Sequence, residues 1–337
     1  MAITVSKERL NVTEMDFDQI KSNLKTFLQS QTQLADYDYE GSAISTIIDV
    51  LAYNTFYNAF NANLNINEIF LDTAQVRNNV VSHAKSLGYI PRSTTSAFAT
   101  VNVTVNNPSG SPSSLAMSRG TTFQTKIDNK AYNYVNLEAQ TIVPINGVYT
   151  FSNVQINQGT IRNQEYVVDN TDTSQKYEIP DESVDTATLI VKVKTNSSST
   201  DFEVYTLVTN LVDVDQNTNA YFLQEGMDGK YEIYFGDNVF GRKLAAGNIV
   251  QLEYLVTDGE ASNNANNFNI TGNIEGNTNI TVSLASAAGG GAAREASDSI
   301  KFNAPLSFLA QNRVVTADDY KAIVKNNYTN AETVSVW

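Results

Sequence analysis

Cysteine is absent from the 337 residues, and histidine and tryptophan occur once each. Without cysteine there are no disulfides and no thiolate metal sites, and the redox compartment stays open. One imidazole, His83, cannot build a His-rich metal site. Its place near the apolar face of a helical stretch suits a core-edge residue satisfied by a polar neighbour. Basic residues are also scarce: 22 Lys and Arg stand against 36 Asp and Glu, for a net charge of -14. No Lys/Arg cluster is found, which argues against nucleic acid or anionic lipid as a partner. No apolar run approaches the roughly 18 residues of a membrane span. The N-terminus MAITVSKERLNVTEMDF has no apolar signal core.

What is present falls into three blocks with different periods. Residues 1–92 are expected to be a helical segment. Phe17, Ile20, Leu24 and Phe27 recur at steps of three and four, Leu34 follows, and Asp16 with Gln19 has the spacing of a capping box. Ser42 caps a second helix whose stripe is Ile44, Ile47, Ile48 and Leu51, turning polar at Asn54, Asn58 and Asn61. A third helical stretch is expected from Asn65, with Ile66, Ile69, Thr73, Val76, Val80 and Leu87 on one seam. Asp72 with Gln75 marks a joint near Leu71-Asp72, Gly88 ends the stretch and Pro91 prevents resumption. Such spacing lays a narrow seam along a helix. It serves either a private three-helix core or a bundle shared between chains. Asn54 and Asn58 favour the shared bundle, because polar seam residues cost stability but fix register and partner.

Residues 93–285 are expected to form an antiparallel β-rich domain. Thr100–Val105, Leu189–Lys194, Tyr231–Phe235 and Val250–Val256 alternate apolar and polar residues, with Asn, Gly, Ser and Pro clusters between. Met227-Asp228-Gly229-Lys230 reads as a hairpin turn. Residues 286–337 read as a Gly/Ala linker over Ser286–Ala293, a helix with Ile300, Ala304 and Phe308 in its stripe and Pro305 inside or ending it, and a second helix capped by Thr316. That second helix is expected to turn Tyr320, Ile323 and Val324 inward. A strand from Thr333 would begin an α+β domain that the natural chain continues past Trp337. The fold class is therefore α+β multidomain.

No catalytic constellation emerges, and neither cofactor nor metal site is expected. Gly289-Gly290-Gly291 lacks the Lys-Ser/Thr pair of a P-loop. Asp169, Asp172, Asp181, Glu182 and Asp185 show no EF-hand pattern and read as solvated loop residues. No carboxylate pair stands out for glycoside hydrolysis.

Two stretches resemble a known family. Asp36-Tyr37-Asp38-Tyr39-Glu40-Gly41-Ser42, Asp49–Asn54, Leu71–Arg77 and Leu87–Pro91 are similar to the N-terminal region of baseplate wedge proteins of T-even-like contractile-tailed phages, in the baseplate J-like family. Tyr234–Arg242, Leu244, Gly247 and Tyr254–Gly259 resemble the family's Phe-Gly-Asp strand-turn motif, and Asn312–Tyr320 the start of its following domain. The resemblance implies a virion structural subunit rather than an enzyme, assembled in host cytoplasm and located in the tail baseplate. It would pair with a second copy and with a larger wedge protein sharing the helix bundle. Together they would build the inner ring around the tail hub, touching other wedge, hub and sheath-proximal proteins. The inter-chain seam would comprise Phe17, Ile20, Leu24, Phe27, Ile44, Ile47, Leu51, Asn54, Asn58, Ile69, Val76 and Val80. Phe235, Gly236, Asp237, Gly241 and Arg242 would form a structural turn, since Gly suits unusual backbone angles and Asp accepts from nearby amides. The competing readings are a receptor-binding tail-fibre module and a tail-associated glycan hydrolase.

Overall fold

A computed structural model describes residues 16–29, 42–106, 110–169, 175–209, 214–226 and 228–310, with positions 108, 171, 317, 320, 324, 334 and 335 besides. The chain splits into two compact units, Met1–Ser86 and Leu87–Trp337.

The first unit holds α1 (Phe17–Gln29), α2 (Ala43–Glu68) and α3 (Arg77–Ser86). Asp16 Oδ1 accepts from the Asp18 and Gln19 amides at 2.9 and 3.1 Å, starting α1. The capping box is half made, because the Gln19 side chain turns forward to Asn23 instead. Ser42, extended at φ -82 and ψ 152, caps α2 through the Ser45 amide. No third helix begins at Asn65: those residues are the last turn of α2, and the joint spans residues 69–76. Its cap is not Asp72. The Glu68 carboxylate reaches from the end of α2 to the Gln75 and Val76 amides and to Asn79 Nδ2. It supplies both an acceptor and a negative charge at the N-terminus of α3. Gly88, at φ 75, follows the end of α3 as expected. Leu34 and Asp36–Gly41 lie outside the described residues.

In the second unit the four alternating stretches are strands, within β1 (Phe98–Val105), β9 (Val184–Lys194), β12 (Tyr231–Phe235) and β13 (Ile249–Val256). The remaining strands are β2 (Leu115–Met117), β3 (Thr122–Ile127), β4 (Lys130–Asn136), β5 (Gln140–Ile142), β6 (Tyr149–Gln158), β7 (Thr160–Val167), β8 (Tyr177–Ile179), β10 (Phe202–Leu207), β11 (Ala220–Glu225), β14 (Asn269–Ile270) and β15 (Ile280–Gly289). They form a six-stranded sheet ordered β14-β3-β4-β6-β1-β15, a seven-stranded sheet ordered β7-β13-β9-β10-β11-β12-β8, and the pair β2-β5. Pairing is antiparallel except between β10 and β11. Each large sheet has its own core. The first gathers Val101, Val103, Phe123, Tyr134, Phe151 and Ile156, and the second Val191, Tyr231, Ile233, Leu252 and Tyr254.

The Gly/Ala stretch is not a linker from Ser286: its first half, to Gly289, is the end of β15, paired with β1 from Phe98↔Gly289 onward. Past the strand the backbone is crowded at Gly291. A Cβ on Gly291 would collide with the Gly259 carbonyl. α4 (Ser297–Ala310) follows, with Pro305 inside it. Ile300 and Ala304 are buried, but Phe308 is exposed. Tyr320 is exposed rather than inward-facing. Ile323 and the expected cap at Thr316 lie outside the described residues, as do Thr333 and Trp337.

Polar bonds join the two sheets where the chain passes from β6 to β7. Gln158 accepts from Thr257 Oγ1 at 2.5 Å and the Asp258 amide at 2.8 Å, and donates to Asp258 Oδ2 at 2.8 Å. Gly159 sits between the strands at φ +137, and a Cβ there would meet the Val256 carbonyl. Glu253 on β13 binds Arg119 at 2.6 Å and Lys192 at 2.9 Å, and Arg119 also donates to the Leu137 carbonyl. Burial pushes the Glu253 pKa up, but the bonds from Lys192 and Arg119 outweigh it and hold it below the usual value. Buried Glu295 accepts from the Tyr89 hydroxyl, the Arg92 amide, Ser299 Oγ and Asn303 Nδ2, fastening residues 89–92 to the start of α4.

Gly159→Ala should destabilise the β unit by about 2–4 kcal/mol, since strain and a backbone clash coincide; urea unfolding measures it, and a cost under about 0.5 kcal/mol would contradict the crossing geometry. Glu253→Gln should cost about 1–3 kcal/mol near neutral pH. A carboxyl whose folded pKa is depressed stabilises above its unfolded value of about 4.3 and loses that contribution as pH falls through the folded one. The gap between the Gln variant and the parent should therefore narrow in melts below about pH 4.

Candidate interaction surface

The helices use their apolar residues in an inverted way. α1 packs on α2, burying Ile20, and Lys21 bonds Asp49 at 2.5 Å. The buried line of α2 is Ser45, Ile48, Ala52, Ala59, Asn63 and Asn67, mostly small or polar side chains. The larger ones face out. Ile47, Val50, Leu51, Tyr53, Tyr57 and Phe60 are 48–63% exposed.

These outward residues fall on two lines. Ile47, Leu51, Asn54, Asn58, Asn61 and Asn65 alternate steps of four and three, with half-buried Ile44 extending the line backwards. All six are exposed, aliphatic at the first two positions and amide at the last four. Beside them run Val50, Tyr53, Tyr57 and Phe60 at the same alternation, ending at half-buried Leu64. The Tyr53 and Tyr57 rings lie 5.2 Å apart, tilted by 49°. Alternating steps of three and four keep residues on one face of a helix. α2 thus carries three faces: one used by its own unit, one aliphatic-to-amide, one aromatic.

Charge is nearly missing from this helix. Asp49 and Glu68 are its only charged residues. Both are engaged, Asp49 with Lys21 and Glu68 with α3. An outward surface of six large apolar side chains without charge is on the order of 500 Å², comparable to the largest patch on a typical monomer.

The expected seam therefore divides. Phe27, Ile47, Leu51, Asn54, Asn58, Ile69 and Val76 are exposed; Phe17, Leu24 and Ile44 are half-buried. Ile20 and Val80 are buried in the chain itself. The expected list missed Val50, Tyr53, Tyr57 and Phe60. Their own alternation of three and four in the sequence marks them.

The Phe-Gly-Asp stretch is a tight turn after β12. Asp237 Oδ1 accepts from the Phe240 and Val239 amides at 3.1 and 2.9 Å, and these bonds lower its pKa. Asn238 stands at φ 71 and Gly241 at φ 85. A side chain on Gly236 would strike the Gly241 carbonyl. Arg242 pairs with Glu203 at 2.6 Å, and Phe235 packs edge-on against Tyr177 and Tyr205. Next to the turn is a cavity of about 290 Å³ lined by Lys194, Phe202, Tyr205, Arg242 and Asn248 among others.

Several titratable groups elsewhere hold neighbouring backbone or side-chain groups. His83 Nε2 lies 2.9 Å from the Glu68 carbonyl, so that nitrogen donates. Asp185 is buried and accepts from the Ser96 and Ala187 amides. Asp181 accepts from the Tyr254 hydroxyl, and Asp169 from Thr171. Among the described residues no group of three or more His, Cys, Asp or Glu side chains could hold a metal ion. Likewise, no helix is long and apolar enough to cross a membrane.

Residues 16–89 match the family described as "Baseplate wedge protein gp6-like, helical domain". The chain is 28% identical over 338 residues to the baseplate wedge protein gp6 of Enterobacteria phage T4, a match covering 93% of this chain and 50% of that protein. It thus spans about half the relative's length. A chain of the cryo-EM structure of the anti-feeding prophage baseplate, 6-fold symmetrised, is matched over 95% of this chain and 66% of that one, at 12% identity and a TM-score of 0.35. A likeness that weak carries nothing further. The resemblance to baseplate wedge proteins is borne out by the first two matches.

Proposed function

We propose that this chain is a structural subunit of a contractile phage tail's baseplate wedge, resident in the virion, whose helical unit is completed only by other chains. Its gp6-like helical segment and its likeness to a T4 wedge protein support the class. The observation that carries the mechanism is α2: 26 residues, two charges, and its large apolar side chains turned outward. A helix that turns its large apolar side chains away from its own unit is completed by other helices packing on that side.

The number of outward lines favours more than one partner. Covering roughly 500 Å² at about 25 cal/mol per Å² contributes on the order of 12 kcal/mol. Lost freedom on association costs roughly 4–15 kcal/mol. One partner helix covers one outward line of α2, and the helix has two. Pairing with a second copy and with a larger wedge protein, as the resemblance implies, suits that count. The two-core β unit then acts as the rigid part joined to the bundle, within an inner ring around the tail hub.

The receptor-binding alternative draws on Phe202 and Val204, which are exposed on β10. It gives no reason for α2. The structural reading also needs no catalytic group.

Expressed alone, the full chain should self-associate in light scattering and bind an apolar dye. Co-expression with the larger wedge protein should yield one co-purifying complex of defined mass. Tyr53→Lys with Tyr57→Lys should weaken that complex at least tenfold and leave the β unit's melting unchanged. A monodisperse monomer that binds no dye, and does not join the wedge partner, would sink the proposal.

A further inference from the structure

We propose that the Glu295 carboxylate is a latch: it holds the chain's entry into the β unit, residues 89–96, and its exit into α4 as one piece, and the two open together. This concerns how the β unit changes shape, and it stands whichever chains cover α2.

Entry and exit lie side by side although Tyr89 and Glu295 are 206 positions apart. Thr95 and Ala292 exchange backbone bonds of 2.9 and 3.0 Å, and the Glu295 amide donates to the Arg92 carbonyl at 3.0 Å. The bridge between Thr95 and Ala292 is antiparallel. Glu295, 3% exposed, takes donors from both sides. From the entry come the Tyr89 hydroxyl at 3.0 Å and the Arg92 amide at 3.1 Å. From α4 come Ser299 Oγ at 2.7 Å and Asn303 Nδ2 at 2.9 Å. Asn303 also donates to Ser299 Oγ at 2.9 Å, so the α4 donors are linked to each other. Burial, and then Glu295 itself, push the Tyr89 hydroxyl well above its ordinary range, which keeps it a donor.

The seven-stranded sheet backs this pair of segments. Tyr231 donates to the Pro91 carbonyl at 2.9 Å, the Thr186 amide to Ser93 Oγ at 2.9 Å, and Arg294 to the Gly229 carbonyl at 2.7 Å. A pull on the chain at residue 87 therefore reaches α4 across one carboxylate, without passing through either β core. For a subunit of a contractile tail, such a joint lets the ends of the β unit shift while both cores stay packed.

Two features make it a latch rather than a permanent joint. One carboxylate serves both sides, so losing a donor on one side leaves the buried charge less compensated and weakens its hold on the other. The closed arrangement also buries Arg92 Nε without a bonding partner. An unmet buried donor is a cost that opening returns, since water then reaches it.

Hydrogen exchange on the full chain tests this by crossing sides. Tyr89→Phe removes a donor from the entry alone, and Ser299→Ala one from α4 alone. Tyr89→Phe should speed exchange at residues 297–304 at least threefold, and Ser299→Ala should do the same at residues 92–96, with β6 and β13 unchanged. Glu295→Gln should speed both segments at least tenfold. Arg92→Met should slow both at least twofold, because no donor is then buried unmet. Loosening confined to the substituted side, or none at all, overturns the latch, since each side would then be held by its own contacts. Unchanged or faster exchange in Arg92→Met overturns the stored cost that opening returns. If Glu295→Gln does not fold, Tyr89→Phe and Ser299→Ala, which keep the carboxylate, decide the coupling alone.

Discussion

A helix that turns six large apolar side chains outward and carries only two charged ones leaves a wide apolar surface against water. That constraint on α2 governs the rest of the helical unit. α1 is short and buries a single residue, and the buried line of α2 is Ile48 among serine, alanine and asparagine. A private core would reverse that choice, placing Leu51, Tyr57 and Phe60 inside and the small residues out. The arrangement is therefore stable in isolation only at the cost of a large exposed apolar surface. The partners proposed above would cover that surface.

The β unit is built the other way. Its cores are filled from within by fully buried residues such as Phe123, Tyr134, Tyr231 and Leu252, and need nothing from outside. The bonds of Gln158, the crowding at Gly159 and the Arg119–Glu253–Lys192 group join one sheet to the other. These interactions are buried or partly buried and mutually constrained, so they resist distortion better than isolated surface pairs. Glu295 secures the first residues of this unit, at 89–92, through several donors on one carboxylate. Its two cores are thus complete, while the helical unit is left open.

Much of this was legible in sequence because period and capping are local. The strands at Thr100–Val105 and Val250–Val256 follow from alternation, and α2 follows from Ser42 and the stripe beyond it. What was not legible depended on contacts far along the chain. Glu68 displaces Asp72 as the cap of α3 because a side chain from the preceding helix happens to reach those amides. The stretch from Ser286 read as a linker because small residues signal flexibility; up to Gly289 the pairing to β1, far back along the chain, makes it a strand instead. The outward seam was legible as a pattern, yet which of its residues the chain keeps for itself was not. Ile20 and Ile47 have the same chemistry and similar spacing, and only packing separates them.

The sequence of side chains along the amide line also divides labour between strength and accuracy. Ile47 and Leu51 supply apolar area without preference for position, since aliphatic groups slide past one another at little cost. The asparagines contribute little net affinity, because each bond made replaces one to water. Their effect lies in the alternatives they penalise: a shift by one turn, or a reversed partner, strands amides against hydrocarbon. A helix that has to meet its partner in one register gains more from that discrimination than from further leucines. This accounts for a seam that grows more polar, rather than more apolar, along its length.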